Sequence, residues 1–152
     1  MKDKYKRVVI DVSLADGSLE SMLALKSSPI IQNAESVQLL SVYNDKLAKY
    51  LPCSIVNKED FQEVEQYARS RMEELRDELM PSDADPAQWP IEVVFNNDIK
   101  HVAIEFLRNH QADLAVTSTR GHQGIQGIFK DSFAFYLVQH APCDVYVVRP
   151  VH

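Results

Sequence analysis

Glycine is scarce in this 152-residue chain: there are four, and Gly121, Gly124 and Gly127 crowd into one short stretch. Such a chain places glycine where the backbone must bend sharply or approach something closely. Cysteine is scarcer still. Cys53 and Cys143 lie far apart, with no Cys-x-x-Cys and no metal-ligand spacing. That excludes a disulfide framework or zinc ribbon and leaves two reduced thiols. No apolar run approaches the roughly 20 residues that a membrane-spanning helix needs. Positive charge is also in deficit, 16 Lys and Arg against 22 Asp and Glu for a net charge of −6. Without a basic stripe to neutralise phosphates, a general nucleic-acid binder is excluded. The charged start Met1 to Arg7 is followed by an apolar run that stops at Asp11, which does not read as a signal peptide. A cytoplasmic location is the expectation. The chain has no Walker lysine loop, no nucleophile beside a base and no compelling carboxylate pair. No catalytic residue and no metal site is therefore assigned.

What is present reads as a single domain over residues 1–152, with ordinary apolar (45%) and charged (25%) content. Arg7 to Val12 reads as a strand with β-branched residues on both faces. Leu19, Met22, Leu23 and Leu25 form a helical stripe that ends near Pro29. Ser36 to Tyr43 is a second strand. Asn44 to Asn57 is irregular. From Lys58 to Met80 the residues Phe61, Val64, Tyr67, Ala68, Met72, Leu75 and Leu79 recur at helical spacing. Trp89 to Phe95 is a third strand, and Asn96-Asn97-Asp98 caps a helix from Ile99 to about Asn109 with Val102, Ala103, Phe106 and Leu107 inward. Asp113 to Thr117 is a fourth strand, Ser132 to His140 a helix, and Val145 to Val148 a fifth strand. Strands alternating with helices imply an α/β fold: an open, doubly wound five-stranded parallel sheet with helices on both faces. Ligands of such sheets bind beyond the carboxyl ends of the strands, where Asp11, Tyr43, Asn96 to Asp98 and Ser118 to Gly121 fall.

The last third carries the densest signal. A buried strand runs into Ser118-Thr119-Arg120-Gly121-His122-Gln123-Gly124-Ile125-Gln126-Gly127, and Asp131-Ser132 then opens a helix. Strand, glycine loop and helix start together make a phosphate cradle. On the residues alone two readings stand: the loop holds phosphate, or it only connects strand to helix. Likewise Asp11 is either a ligand contact or a loop cap, and Asp131-Ser132 either a contact or a helix cap. His101, His110 and His140 are scattered and suggest no metal site.

Two stretches bear a family resemblance. Ala112-Asp113-Leu114-Ala115-Val116-Thr117-Ser118-Thr119-Arg120-Gly121 resembles ADLIVVGTRG, and His140-Ala141-Pro142-Cys143-Asp144-Val145-Tyr146-Val147-Val148-Arg149 resembles HAPCPVLVVR. Both are marks of the universal stress protein (UspA-like) family. Val9 to Ser13 is similar to that family's first strand end, and the order of elements matches along essentially the whole chain. The resemblance implies an adenine-nucleotide α-hydrolase-like fold. It implies that Asp11 lies where a first-strand Asp contacts the nucleotide, and Val42 where a backbone pair reads the adenine edge. ATP-binding members carry G-x2-G-x9-G-[S/T]; this chain reads S-x2-G-x9-D-S, with Ser118, Gly121, Asp131 and Ser132 at the motif positions. The family's glycine-containing turn after strand three is here Asn96-Asn97-Asp98.

The two replacements differ in cost. Ser118 adds a hydroxymethyl group that can itself donate to a phosphate. Asp131 puts a carboxylate where the family places phosphate oxygens, a repulsion of about 1 to 4 kcal/mol in a surface-like dielectric. It also competes for the helix-start N–H groups, and Arg120 and His122 offset the charge only in part. The expectation is a stress-response protein of the non-ATP-binding branch, with no cofactor. The alternative is an ATP- or AMP-binding sensor that takes ATP with Mg through Asp11, Val42, Ser118, Arg120, Gly121, His122, Asp131 and Ser132. Family members commonly pair two copies through the last strand, which implies a homodimer across Val145, Tyr146, Val147 and Val148, acting through unidentified protein partners.

Overall fold

The computed structural model describes residues 5–12, 18–43, 61–118 and 133–149. Five strands, β1 (Arg7–Asp11), β2 (Ser36–Tyr43), β3 (Ile91–Phe95), β4 (Leu114–Ser118) and β5 (Asp144–Val148), form one sheet in the order β3-β2-β1-β4-β5. Every neighbouring pair is parallel. The chain winds outward from β1 to β2 and β3, then returns to the other side of β1 for β4 and β5. The α/β, doubly wound expectation holds.

Parallel strands need covered crossovers, and these form two layers. On one face lie α1 (Ser18–Met22), a 3-10 turn (Leu23–Leu25), α2 (Pro29–Gln32) and α3 (Phe61–Leu79). On the other lie α4 (Ile99–Asn109) and α5 (Phe133–His140). The period-2 alternation of β1 divides its side chains between the layers. Val8, Ile10 and Val12 enter a core with Val64, Ala68, Met72, Leu75 and Leu79 of α3, while Val9 enters a second core with Ile104, Leu107 and Leu137. Each fully buried aliphatic side chain contributes about 1.5–3 kcal/mol. The outer face of α3 carries ion pairs such as Arg69–Glu65 and Arg71–Glu74, each worth a few tenths of a kcal/mol, about 0.3–0.5.

Several ends are fixed by short polar side chains. Asp98 caps α4 by accepting from the His101 N–H at 3.1 Å, as its position before the apolar stripe implies. Asp113 Oδ2 accepts from the N–H groups of Lys6 (3.0 Å) and Arg7 (2.9 Å) and pins the start of β1 to the start of β4. Gln111, after α4, takes the left-handed conformation (φ 52°) that glycine usually supplies at a helix end. Its Oε1 accepts from Arg7 Nη1 at 2.7 Å, a contact that helps hold it there.

Two sequence expectations need correction. The helical stripe after β1 loses Leu23: α1 gives way to the 3-10 turn, which buries Leu25 as expected but leaves Leu23 41% exposed. A 3-10 turn advances about 120° per residue rather than about 100°, so a four-residue stripe drifts off the core. In α4 the fully buried residues are Ala103, Ile104 and Leu107, with Val102 and Phe106 only partly covered. The face is rotated by one residue because α5 packs beside the helix and covers Ile104.

Tyr43 ends β2 against Phe95, ring centroids 5.7 Å apart, and among the described residues its buried hydroxyl has no hydrogen-bond partner. The neighbouring Ser41 hydroxyl donates instead to the Val12 carbonyl at 2.7 Å. An orphaned buried hydroxyl costs about 1–3 kcal/mol. Tyr43→Phe is therefore expected to raise the unfolding free energy by about 1 kcal/mol. Ser41→Ala, which strands the Val12 carbonyl, is expected to lower it by about 1–3 kcal/mol. Urea denaturation of the two variants checks both signs.

Candidate functional site

The winding reverses at β1, so the crossovers leave the carboxyl ends of β1 and β4 in opposite directions, the place at which doubly wound sheets characteristically open a crevice. Asp11 is the last residue of β1, and Thr117 stands one residue before the end of β4. Both belong to the odd-numbered face with Val9 and Ala115. The pairing places Ile10 beside Val116, and one step further the Thr117 hydroxyl donates to Asp11 Oδ2 at 3.2 Å. Thr117 is buried. Loss of water around Asp11 pushes its carboxyl up to about 7, against which the Thr117 bond works in the opposite sense. A carboxyl poised near neutral pH at a strand end is a functional-site signature.

Val42 sits on the other side of β1. Register alone settles where its peptide groups point. The Leu40 carbonyl accepts from the Val12 N–H at 2.8 Å, so the peptide groups of Leu40 face β1. Those of Tyr43 face β3, since its carbonyl accepts from Asn96 at 2.9 Å. Alternation therefore aims the Val42 N–H and carbonyl toward β1. The β1–β2 register ends at Asp11 and Leu40. The next rung would run from the Val42 N–H to the Val12 carbonyl, but the Ser41 hydroxyl occupies that carbonyl. A donor and an acceptor on one residue thus look into the mouth of the crevice beside Asp11.

The structure brings Asp11, Val42 and Ser118 to the carboxyl edge, with Ser118 as the half-buried last residue of β4 rather than the first of a loop. Arg120, Gly121, His122, Asp131 and Ser132 lie outside the described residues. Asn96 to Asp98 turn at the same edge, where Asn96 Oδ1 accepts from the Asp98 N–H at 2.8 Å. Val145, Tyr146 and Val147 lie along β5 at the sheet's end, with Val148 turned into the core. Sequence reading missed Thr117 and Ser41. Their signal was a hydroxyl inside an otherwise apolar strand, which calls for a partner.

Among the described residues no group of three His, Cys, Asp or Glu is placed to hold a metal. His110 turns its Nδ1 to the Phe106 carbonyl (2.9 Å) and stacks on that ring. Cys143 is a free thiol whose pKa is raised by burial. No described helix is long and apolar enough to cross a membrane.

The model of the universal stress protein family matches residues 5–149. Solved structures agree in fold. UspA from Lactobacillus plantarum superposes with TM-score 0.69 at 21% identity, covering 96% of this chain and 99% of that one. A universal stress protein in complex with cAMP gives 0.62 at 17%, covering 97% and 99%. A family protein from Arabidopsis thaliana with AMP bound gives 0.60 at 14%, covering 96% and 92%. At such identities the likeness concerns the fold alone. No curated protein sequence matches the chain significantly.

The Asp11 carboxyl makes stability depend on pH with a definite sign. Below its ordinary value of 3.8 the group is neutral both folded and unfolded. Between 3.8 and about 7 the unfolded chain ionises while the folded chain still holds its proton, so stability present at low pH is lost across that window and no further loss follows above it. Asp11→Asn removes the titration. Relative to the variant, the wild-type chain is expected to lose on the order of 1 kcal/mol or more between pH 5 and pH 8, read from urea midpoints.

Proposed function

This chain belongs to the universal stress protein family, and from that premise we propose that it is a cytoplasmic stress-response protein of the UspA-like branch. In this reading it acts as a homodimer through protein partners, without catalysis and without tightly held ATP. The observation that carries it is the motif S-x2-G-x9-D-S, in which Asp131 replaces the last motif glycine. A carboxylate there repels a triphosphate and competes for the N–H groups that would bind it. Asp11, when ionised, adds a negative group at the carboxyl edge of the sheet. The test is the nucleotide content of freshly purified protein, followed by titration with Mg-ATP. The expected result is no stoichiometric ATP and no saturable heat at millimolar Mg-ATP. Asp131→Gly is expected to restore measurable affinity. Co-purified ATP near one per chain overturns the reading.

One observation favours a second reading, an AMP- or adenosine-level sensor. The Val42 N–H and carbonyl face the crevice mouth, and such a donor–acceptor pair suits an adenine edge. Solved relatives by their descriptions hold cAMP, AMP or dAMP. Under this reading AMP binds, Asp131→Gly changes its affinity little, and ATP gains nothing from its added phosphates.

The homodimer is proposed through β5, which ends the sheet with no further strand beside it among the described residues. A two-fold axis beside such a strand makes an antiparallel, self-complementary ladder. The ladder alone is short. Five residues offer a handful of hydrogen bonds worth about 1 kcal/mol each net, against an association cost of about 4–15 kcal/mol. Apolar contact must supply the difference. Sedimentation of the wild-type chain is expected to show a dimer at micromolar concentration; a monomer there overturns this part of the proposal.

A further inference from the structure

A groove of about 420 Å³ lies between the 3-10 turn and α3, away from the carboxyl edge of the sheet. Glu20 of α1 and Leu23 of the 3-10 turn form one bank. Arg71, Glu74 and Glu78 of α3 form the other, and Leu75 closes the floor. Pockets that hold ligands span about 300–1,000 Å³, so the space is large enough to seat side chains. Leu75 is buried, whereas Leu23 is one of the few large apolar side chains exposed among the described residues.

That exposure follows from the local change of helix type. Met22 and Leu25 enter the core beside α3, and the tighter step between them turns Leu23 out over the groove. The banks are tied together at one end, where Lys26 Nζ reaches Glu78 at 3.3 Å. Arg71 is drawn along α3 to Glu74 at 2.8 Å. The lining carries four carboxylates, with Asp77 at the rim, against one guanidinium. Lys26 offsets Glu78 and Arg76 offsets Asp77 from outside the groove. Glu20 makes no ion pair among the described residues. An excess of negative charge thus surrounds one exposed aliphatic side chain.

That combination selects among occupants. A second copy of this chain, at net charge −6, brings the wrong sign, as do nucleic acid and anionic lipid. A cationic segment with an apolar residue meets both features. Glu74 and Glu78 stand four residues apart on α3, about 6 Å along its axis. A facing helix repeats its own side chains at that interval. We propose that the groove docks a basic amphipathic helix of a partner protein. Its aliphatic side chain sets against Leu23, and Lys or Arg one turn to either side faces Glu20 and the acids of α3. This gives a surface to the reading that the chain acts through protein partners, and rests on it.

The test uses the full-length protein and, as probe, a fluorescein-labelled alanine-based helical peptide carrying Lys-x3-Leu-x3-Lys, followed by anisotropy. Saturable binding is expected, weakening as salt is raised. Leu23→Ser and Glu20→Lys are each expected to weaken it at least fivefold, as is serine in place of the peptide's leucine. Val138→Ser, on the opposite face of the sheet, is expected to leave the affinity within twofold. All three protein positions are exposed, and far-ultraviolet dichroism checks that each variant is folded. Absence of saturable binding overturns the proposal. Binding that ignores both Leu23→Ser and the peptide's leucine is diffuse attraction to an acidic chain and overturns it too. Equal affinity for a proline-broken peptide of the same composition overturns the helical form of the partner. Stoichiometric ATP in the purified protein overturns the partner reading on separate grounds, and the Leu23→Ser comparison still decides whether the groove binds.

Discussion

Strand β1 is hydrogen-bonded along both edges and covered on both faces, and its five residues tie every layer of the molecule together. Its partners β2 and β4 belong to opposite arms of the winding. Its even-numbered side chains enter the α3 layer and Val9 enters the α4–α5 layer. Asp113 clamps its first peptide groups, and Ser41 with Thr117 holds its last. A strand so placed cannot shift register by one residue without inverting both cores.

The same strand makes the crevice by stopping early. β2 continues to Tyr43, opposite β3 as far as Phe95, whereas the β1 register ends at Asp11. Peptide groups that would have gone into a ladder are left at the mouth, beside a carboxyl short of water. Site and fold are therefore one arrangement: the polar groups at this edge are those that the ladder of the described strands does not take up.

Much of this was legible in the residues. β2 falls on its expected bounds, because eight residues rich in β-branched and apolar types between turn residues leave little choice. The α3 stripe is buried from Val64 to Leu79 as its spacing implies. Asp11 stands out as an acid closing an apolar run. Illegible were features set by neighbours distant in sequence. Leu23 depended on a local change of helix type, the rotation of α4 on where α5 lies, and the Thr117 bond on strands β1 and β4 being adjacent. A hydroxyl in a strand announces a need for a partner but not which one.

Ser41 reaches further than its size suggests. In a parallel sheet a strand is lengthened by closing one more rung, and here the register of β1 and β2 stops at Asp11 and Leu40. The Ser41 hydroxyl acts as the stop at the end of a zipper: it sits on the carbonyl that the next tooth would engage. The carbonyl at the carboxyl end of β1 is thus met by a side chain of β2, the strand beside the edge strand β3.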